Sequence, residues 1–251
     1  VEAGLRTYNM NSPYPEEFNR QAIDLITDVY FAPTQTAKMH LINEGKVADK
    51  IFVTGNTVID ALKITVRTSY TTPDLEWARD SKLILVTAHR RENIGEPMKQ
   101  MFRAIRKLVE DNDDVKVIYP IHKNPEVRKI AYEVLGNMQR IRIVEPLDVV
   151  DFHNYMYKCY IVMTDSGGIQ EEAPSLGKPV IVMRDTTERP EGVKAGTLKL
   201  VGTTFENIYK ETSELLNDER KYKEMSRRSN PYGDGFACKR IVEIIRRKMM
   251  S

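Results

Sequence analysis

The sequence predicts an α/β protein organised around a parallel sheet. Three observations carry this. From Lys82 onward, apolar runs of strand length alternate with segments whose apolar residues recur at helical spacing. Glycines and prolines mark the changeovers, as at Pro120, Gly136 and Gly177. The 251 residues are 41% hydrophobic and 29% charged, an ordinary globular mixture long enough for one large domain or two smaller ones.

The elements follow in order. Residues 16–27 predict a helix, 29–32 a strand, 34–44 a helix, 50–53 a strand and 57–66 a helix. Residues 67–81 lose periodicity and contain Thr71-Thr72-Pro73, so they read as a link between a first region, 1–66, and a second, 82–251. The second region opens with a buried strand at 82–87. A helix at 97–109 carries Met98, Met101, Phe102, Ile105, Leu108 and Val109 on one face. Then come a strand at 115–119, a helix at 125–135 ended by Gly136, a strand at 141–144, a helix at 149–157, a strand at 160–164, a helix at 168–176 and a strand at 179–183. Such βαβ repetition implies a parallel sheet covered on both faces, with ligands at the carboxyl ends of its strands. The tail, 204–251, predicts helix, with Arg246, Arg247 and Lys248 on a solvated face.

Charge excludes some functions. With 38 basic and 36 acidic residues the net charge is +2, and no basic stripe with interleaved aromatics argues for nucleic acid. No run of about 18 apolar residues argues for a membrane span. Cys159 and Cys238 have no metal spacing and read as two buried free thiols in a reducing compartment. No secretory signal is evident, so the expected compartment is the cytoplasm. The chain opens Val1-Glu2-Ala3-Gly4 without an initiator methionine, and is expected to be entered part-way through a longer protein.

The chemistry concentrates at predicted strand ends. Asp165-Ser166-Gly167-Gly168 follows a strand and opens a helix, where glycines allow close approach and free N–H groups favour an anion. Ser166 would donate a hydroxyl or cap the helix. One of Glu171 and Glu172, a turn further on, would reach ribose hydroxyls. Residue types alone leave open a phosphate-binding turn or a simple capped turn with dipole-complementing acids. The loop 184–192 follows the next strand and carries Arg184 and Arg189; a guanidinium there would hold a diphosphate, or the loop is simply charged and solvated. His89-Arg90-Arg91-Glu92-Asn93 and His122 follow two other strands. A histidine there suits acid/base or phosphate contact. His40 and His153 fall within helices and read as packing or surface residues. In the first region Glu2 with Arg6, and Glu16 with Glu17 behind Pro13 and Pro15, lie near loop ends. Paired carboxylates do proton work where burial raises a pKa; Glu17 reads as a plain helix-start acid.

Seven segments together resemble one family, the non-hydrolysing UDP-N-acetylglucosamine 2-epimerases: VEAGLRT (1–7), SPYPEEFNR (12–20), TGNTVIDAL (54–62), VTAHRREN (86–93), TDSGGIQEEAPSLGKPV (164–180), MRDTTERPE (183–191) and NPYGDGFACKRI (230–241). They cover nearly the whole chain in a specific order. The resemblance implies two Rossmann-like domains of glycosyltransferase-B type facing across a cleft, the first present only in part. The first half of that domain, with an essential aspartate, has no counterpart here. The resemblance further implies Glu2, Glu16 and His89 as catalytic residues. Ser166, Gly167, Gly168, Glu172 and Arg189 would contact UDP, with Phe152 near the uracil. Leu147 stands where some relatives have glutamine, which removes one base contact. A second, activating substrate site would involve Glu16, Arg90 and His122. The implied reaction interconverts UDP-N-acetylglucosamine and UDP-N-acetylmannosamine by elimination and re-addition of UDP. It implies no cofactor and no metal, a homodimer, and a product serving cell-surface polysaccharide. A UDP-sugar glycosyltransferase, a hydrolysing relative and an inactive nucleotide-binding fragment are the alternatives.

Overall fold

The structure is a computed structural model that describes residues 1–250; Ser251, on which the expected helical tail ends, lies outside them. The elements in chain order are α1 (Glu16–Ile23), β1 (Tyr30–Ala32), α2 (Gln35–Asn43), β2 (Ile51–Val53), α3 (Thr57–Thr65), α4 (Pro73–Trp77), β3 (Lys82–Thr87), α5 (Glu96–Asp111), β4 (Val115–Pro120), α6 (Pro125–Leu135), β5 (Ile141–Val144) and α7 (Val149–Lys158). There follow β6 (Ile161–Thr164), α8 (Ile169–Ser175), β7 (Val180–Val182), α9 (Pro190–Ala195), β8 (Leu198–Leu200), α10 (Phe205–Asn217), α11 (Glu219–Ser226) and α12 (Ala237–Met249).

The chain divides into two compact units. The larger comprises 65–185 and 192–229. Its six parallel strands run in the order β5-β4-β3-β6-β7-β8. The order reverses between β3 and β6, which creates a switch point where the loops after both strands leave the sheet together. Strand burial matches a sheet covered on both faces: β6 and β7 are buried throughout, and β3 from its second residue. Helix α5 packs the predicted face, with Met98, Met101, Phe102, Ile105, Leu108 and Val109 all fully buried. Helix α6 starts where Asn124 caps Glu126 N and Pro125 takes the first turn.

The smaller unit comprises 1–64, 186–191 and the segment from Asn230 onward. Its two parallel strands pair Tyr30 with Ile51 through Ala32 with Val53. Gly4 lies against α2 at φ +83°, and a Cβ there would stand 2.1 Å from the Ala37 carbonyl oxygen, so the glycine of the VEAGL motif is a packing requirement. The sequence division placed everything after 82 in the second region, yet the last helix groups with the first. Ile241 and Ile244 of α12 pack on Phe31 beside Val29 and Phe52, and the Asp60 carboxylate accepts from Ala237 N and Cys238 N at the start of α12.

Several local expectations are corrected. Helix α1 stops at Ile23 instead of 27. The Asp24 carbonyl accepts from Tyr30 Oη (2.9 Å) and Lys46 Nζ (2.7 Å), so it is taken from the helix. Leu25 and Ile26, which prolonged the apparent period, are 81% and 86% exposed. The link 67–81 contains α4, because Thr72 caps Leu75 N and Pro73 begins a turn of helix. The loop read at 184–192 runs into α9, and β8 is an edge strand too short to declare itself in the sequence. The helical tail breaks between Ser226 and Ala237 around Asn230 to Gly235. Cys159 is buried, its thiol pushed up to about 12 by burial, but Cys238 is exposed. No helix among the described residues is long and apolar enough to cross a membrane.

Candidate functional site

In the larger unit the switch point brings together the loops after β3, β4 and β6. Asp165, fully buried just past β6, organises them. Its carboxylate accepts from His89 N (3.0 and 3.2 Å), Arg90 N (2.9 Å) and Asn93 Nδ2 (3.1 Å), while its carbonyl accepts from Arg90 Nε (3.1 Å). An acid just past a fully buried strand must find donors, which makes Asp165 an organising residue that its type and place in the sequence already signal. Below it, Thr87 and Thr164 join the two strand ends through their hydroxyls at 2.6 Å.

His89 stacks on His122, ring centroids 5.3 Å apart and planes 19° apart. The two histidines predicted on separate strand ends thus meet. His122 Nδ1 accepts from Asn124 N at 3.1 Å. Although 40% of its side chain is exposed, the partial desolvation of the His89 ring lowers its pKa; the Asp165 carboxylate opposes this, and His122 and Arg90 reinforce it. A neutral ring is therefore favoured, able to accept a proton.

The turn Ser166-Gly167-Gly168 leads into α8. Gly168 is its N-cap residue, and no side chain caps the helix. Ser166 is therefore not the cap: its N donates to Thr164 Oγ1 (2.9 Å) and its carbonyl accepts from Gln170 Nε2 (3.1 Å). Gly168 has ordinary helical backbone angles, φ −60° and ψ −41°. Its value lies in close approach: Glu172 Oε1 lies 3.3 Å from where a Cβ on Gly168 would stand. The glutamates separate cleanly, Glu171 fully buried and Glu172 half-buried. Phe152 on α7 is half-buried against the core. The next residue, His153, is not a surface or simple packing residue. It is buried, with Nδ1 2.8 Å from Thr65 Oγ1 and Nε2 3.5 Å from Glu172 Oε2.

The smaller unit holds a separate cluster. Arg189 is buried between Glu188, bonded to its Nη1, and Glu2, whose Oε1 lies 3.8 Å from its Nη2. Its carbonyl accepts from Tyr232 Oη at 2.9 Å. Glu2 stands at φ 61°, a left-handed conformation costing about 1 kcal/mol in a residue with a side chain, and it accepts from Asn56 Nδ2 at 2.9 Å. Glu2 lies apart from Arg6 in its contacts. Arg6 is buried against Glu44 and Asp24. Glu16 is half-buried at the start of α1, behind cis peptide bonds at Ser12–Pro13 and Tyr14–Pro15. Glu17 is fully buried and structural: it accepts from Thr7 N (2.9 Å), Tyr8 N (3.1 Å) and Gln21 Nε2 (2.9 Å). His40 is structural too, Nδ1 meeting the Gly4 carbonyl at 2.9 Å. Arg20 was missed by the sequence reading. It lies one helical turn after Glu16, its Nη2 4.0 Å from Glu188, and burial lowers its pKa.

The two units define a class: parallel α/β proteins of glycosyltransferase-B type, with a glycine turn at the switch point of the larger sheet. Within it the chain belongs to the UDP-N-acetylglucosamine 2-epimerase family, whose profile matches residues 1–246. It is 60% identical over 243 residues to the UDP-N-acetylglucosamine 2-epimerase of Bacillus subtilis, covering 97% of this chain and 64% of that one. The structure of S. aureus MnaA with UDP superposes with a TM-score of 0.97 at 55% identity, covering 99% of this chain and 68% of that one. The Neisseria meningitidis UDP-GlcNAc 2-epimerase bound to UDP-GlcNAc gives a TM-score of 0.93 at 45% identity, covering 98% and 69%. The chain thus spans about two thirds of its relatives' length.

Proposed function

We propose that the protein interconverts UDP-N-acetylglucosamine and UDP-N-acetylmannosamine. The observation that carries this reading is the switch-point turn Asp165 to Gly168, with the Glu172 carboxylate folded over Gly168, in a chain of this family. In the proposed roles, the Ser166–Gly168 turn and Arg189 hold the diphosphate, Glu172 the ribose and Phe152 the uracil. A base takes the C2 proton. The C2–H electron pair forms the C1–C2 double bond of a glycal as the C1–O bond breaks and UDP leaves with its pair. Protonation of C2 on the opposite face and attack of the diphosphate oxygen at C1 complete the exchange. His89, Glu2 and Glu16 are the proposed proton-handling groups. The C2–H is a weak acid, so stabilising the leaving diphosphate by fixed donors supplies most of the acceleration. We place a second, activating substrate site at Glu16, Arg90 and His122, and infer a cytoplasmic homodimer that feeds polysaccharide synthesis. The relatives bound to UDP and UDP-GlcNAc support the ligand class.

Incubation with UDP-N-acetylglucosamine and separation of the products test the reading. UDP-N-acetylmannosamine is the expected product. Free N-acetylmannosamine with UDP would mark a hydrolysing enzyme, and sugar moved to an added acceptor a transferase.

A further inference from the structure

We propose that His153 is a positioning residue for Glu172: the imidazole, held at Nδ1 by Thr65, keeps the carboxylate in the pose that reads ribose hydroxyls. The proposal rests on the UDP-binding reading above and adds a residue to it.

The geometry is a chain of three side chains. Thr65 Oγ1 lies 2.8 Å from His153 Nδ1, and His153 Nε2 lies 3.5 Å from Glu172 Oε2. The His153 side chain is 3% exposed and that of Glu172 15%. A neutral imidazole has one donor and one acceptor nitrogen. If Nδ1 carried the proton, the Nε2 lone pair would face a carboxylate in a nearly dry place, at a cost. With Nδ1 accepting from the threonine hydroxyl, Nε2–H faces Glu172 Oε2, at 3.5 Å a close polar contact longer than a hydrogen bond. This is the arrangement by which a neighbour at one ring nitrogen sets what the other offers.

The threonine is itself held. Asn154, next to His153 on α7, donates from Nδ2 to the Thr65 carbonyl (2.9 Å) and accepts from Arg67 N at Oδ1 (2.8 Å). The backbone on both sides of Val66 is thus tied to the helix that carries Phe152 and His153. Glu172 needs such a restraint. Its Oε1 already lies beside Gly168, in the turn proposed for phosphate, and the imidazole at Oε2 keeps the carboxylate from turning further in.

Calorimetry with UDP and with 2′,3′-dideoxy-UDP tests the proposal on four proteins: wild type, Glu172→Gln, His153→Leu and His153→Gln, the last keeping an N–H donor near the Nε2 position. Wild type is expected to prefer UDP and Glu172→Gln to lose that preference. His153→Leu should weaken UDP about tenfold, the scale of one charge-assisted bond, and leave the dideoxy ligand unchanged, while His153→Gln retains most of the preference. If His153→Leu keeps the preference, or weakens both ligands equally, the positioning role is overturned while the ribose reading stands. If wild type shows no preference, or Glu172→Gln keeps it, the ribose reading itself fails and the proposal with it. Melting temperatures separate loss of fold, and a poorly folded His153→Leu leaves His153→Gln to decide: loss of preference there also counts against the role.

Discussion

Asp165 is the residue that ties together the loops of the larger unit's candidate site. One buried carboxylate satisfies two backbone N–H groups and a side-chain amide of the His89 loop. Asp165→Asn replaces a charge acceptor with a group that must turn a donor toward donors. It should cost about 2 kcal/mol in denaturant unfolding and slow turnover more than His122→Ala does. An unchanged melting curve would contradict the assignment. His89 makes a pH prediction. Its folded pKa is depressed, chiefly by burial, so the neutral ring is the form the fold favours. The associated stability is present above its unfolded value of about 6.5 and is lost as pH falls through the lower folded value. NMR titration should find the His89 midpoint below that of an exposed histidine. His89→Gln should flatten the loss of melting temperature on acidification through that window.

At the scale of elements, the glycine turn and α8 separate stability from function. Gly168 has helical angles, so alanine fits its backbone and should leave stability unchanged or raise it by about 0.5 kcal/mol through the unfolded chain. The same methyl crowds Glu172 Oε1 at 3.3 Å, so Gly168→Ala should weaken UDP binding in calorimetry while melting no lower. Helix α5 behaves oppositely: Phe102→Ala in its fully buried face should cost about 4 kcal/mol in unfolding experiments. Such elements were legible in the sequence because burial imprints a period. Strand 82–87, helix 125–135 and strand 141–144 appear at the predicted residues. What escaped was set by contacts that leave no period. Asp24 ends α1 through Tyr30 and Lys46, and α4 hides in a capped Thr-Pro step read as a link. The site was legible to the same extent. The glycine turn, His89 and Arg189 announced themselves by type and placement. His153 and Arg20 did not, because a histidine among aromatics and an arginine on a helix look ordinary until their neighbours are known.

For the whole molecule, unit membership departs from chain order. Segments 186–191 and 230 onward return to the smaller unit, so Arg189 sits with Glu2 and Tyr232 although it follows β7 in sequence. Family membership over 1–246 and the residues assembled in each unit bear on one proposed reaction, and its distinguishing event is breakage of the sugar C2–H bond. Turnover of UDP-N-acetylglucosamine in heavy water tests that event directly, with mass spectrometry and proton NMR of the recovered nucleotide sugar. Deuterium at C2 in the UDP-N-acetylmannosamine formed is the predicted result. Epimer formed with its original C2 hydrogen intact would contradict the account.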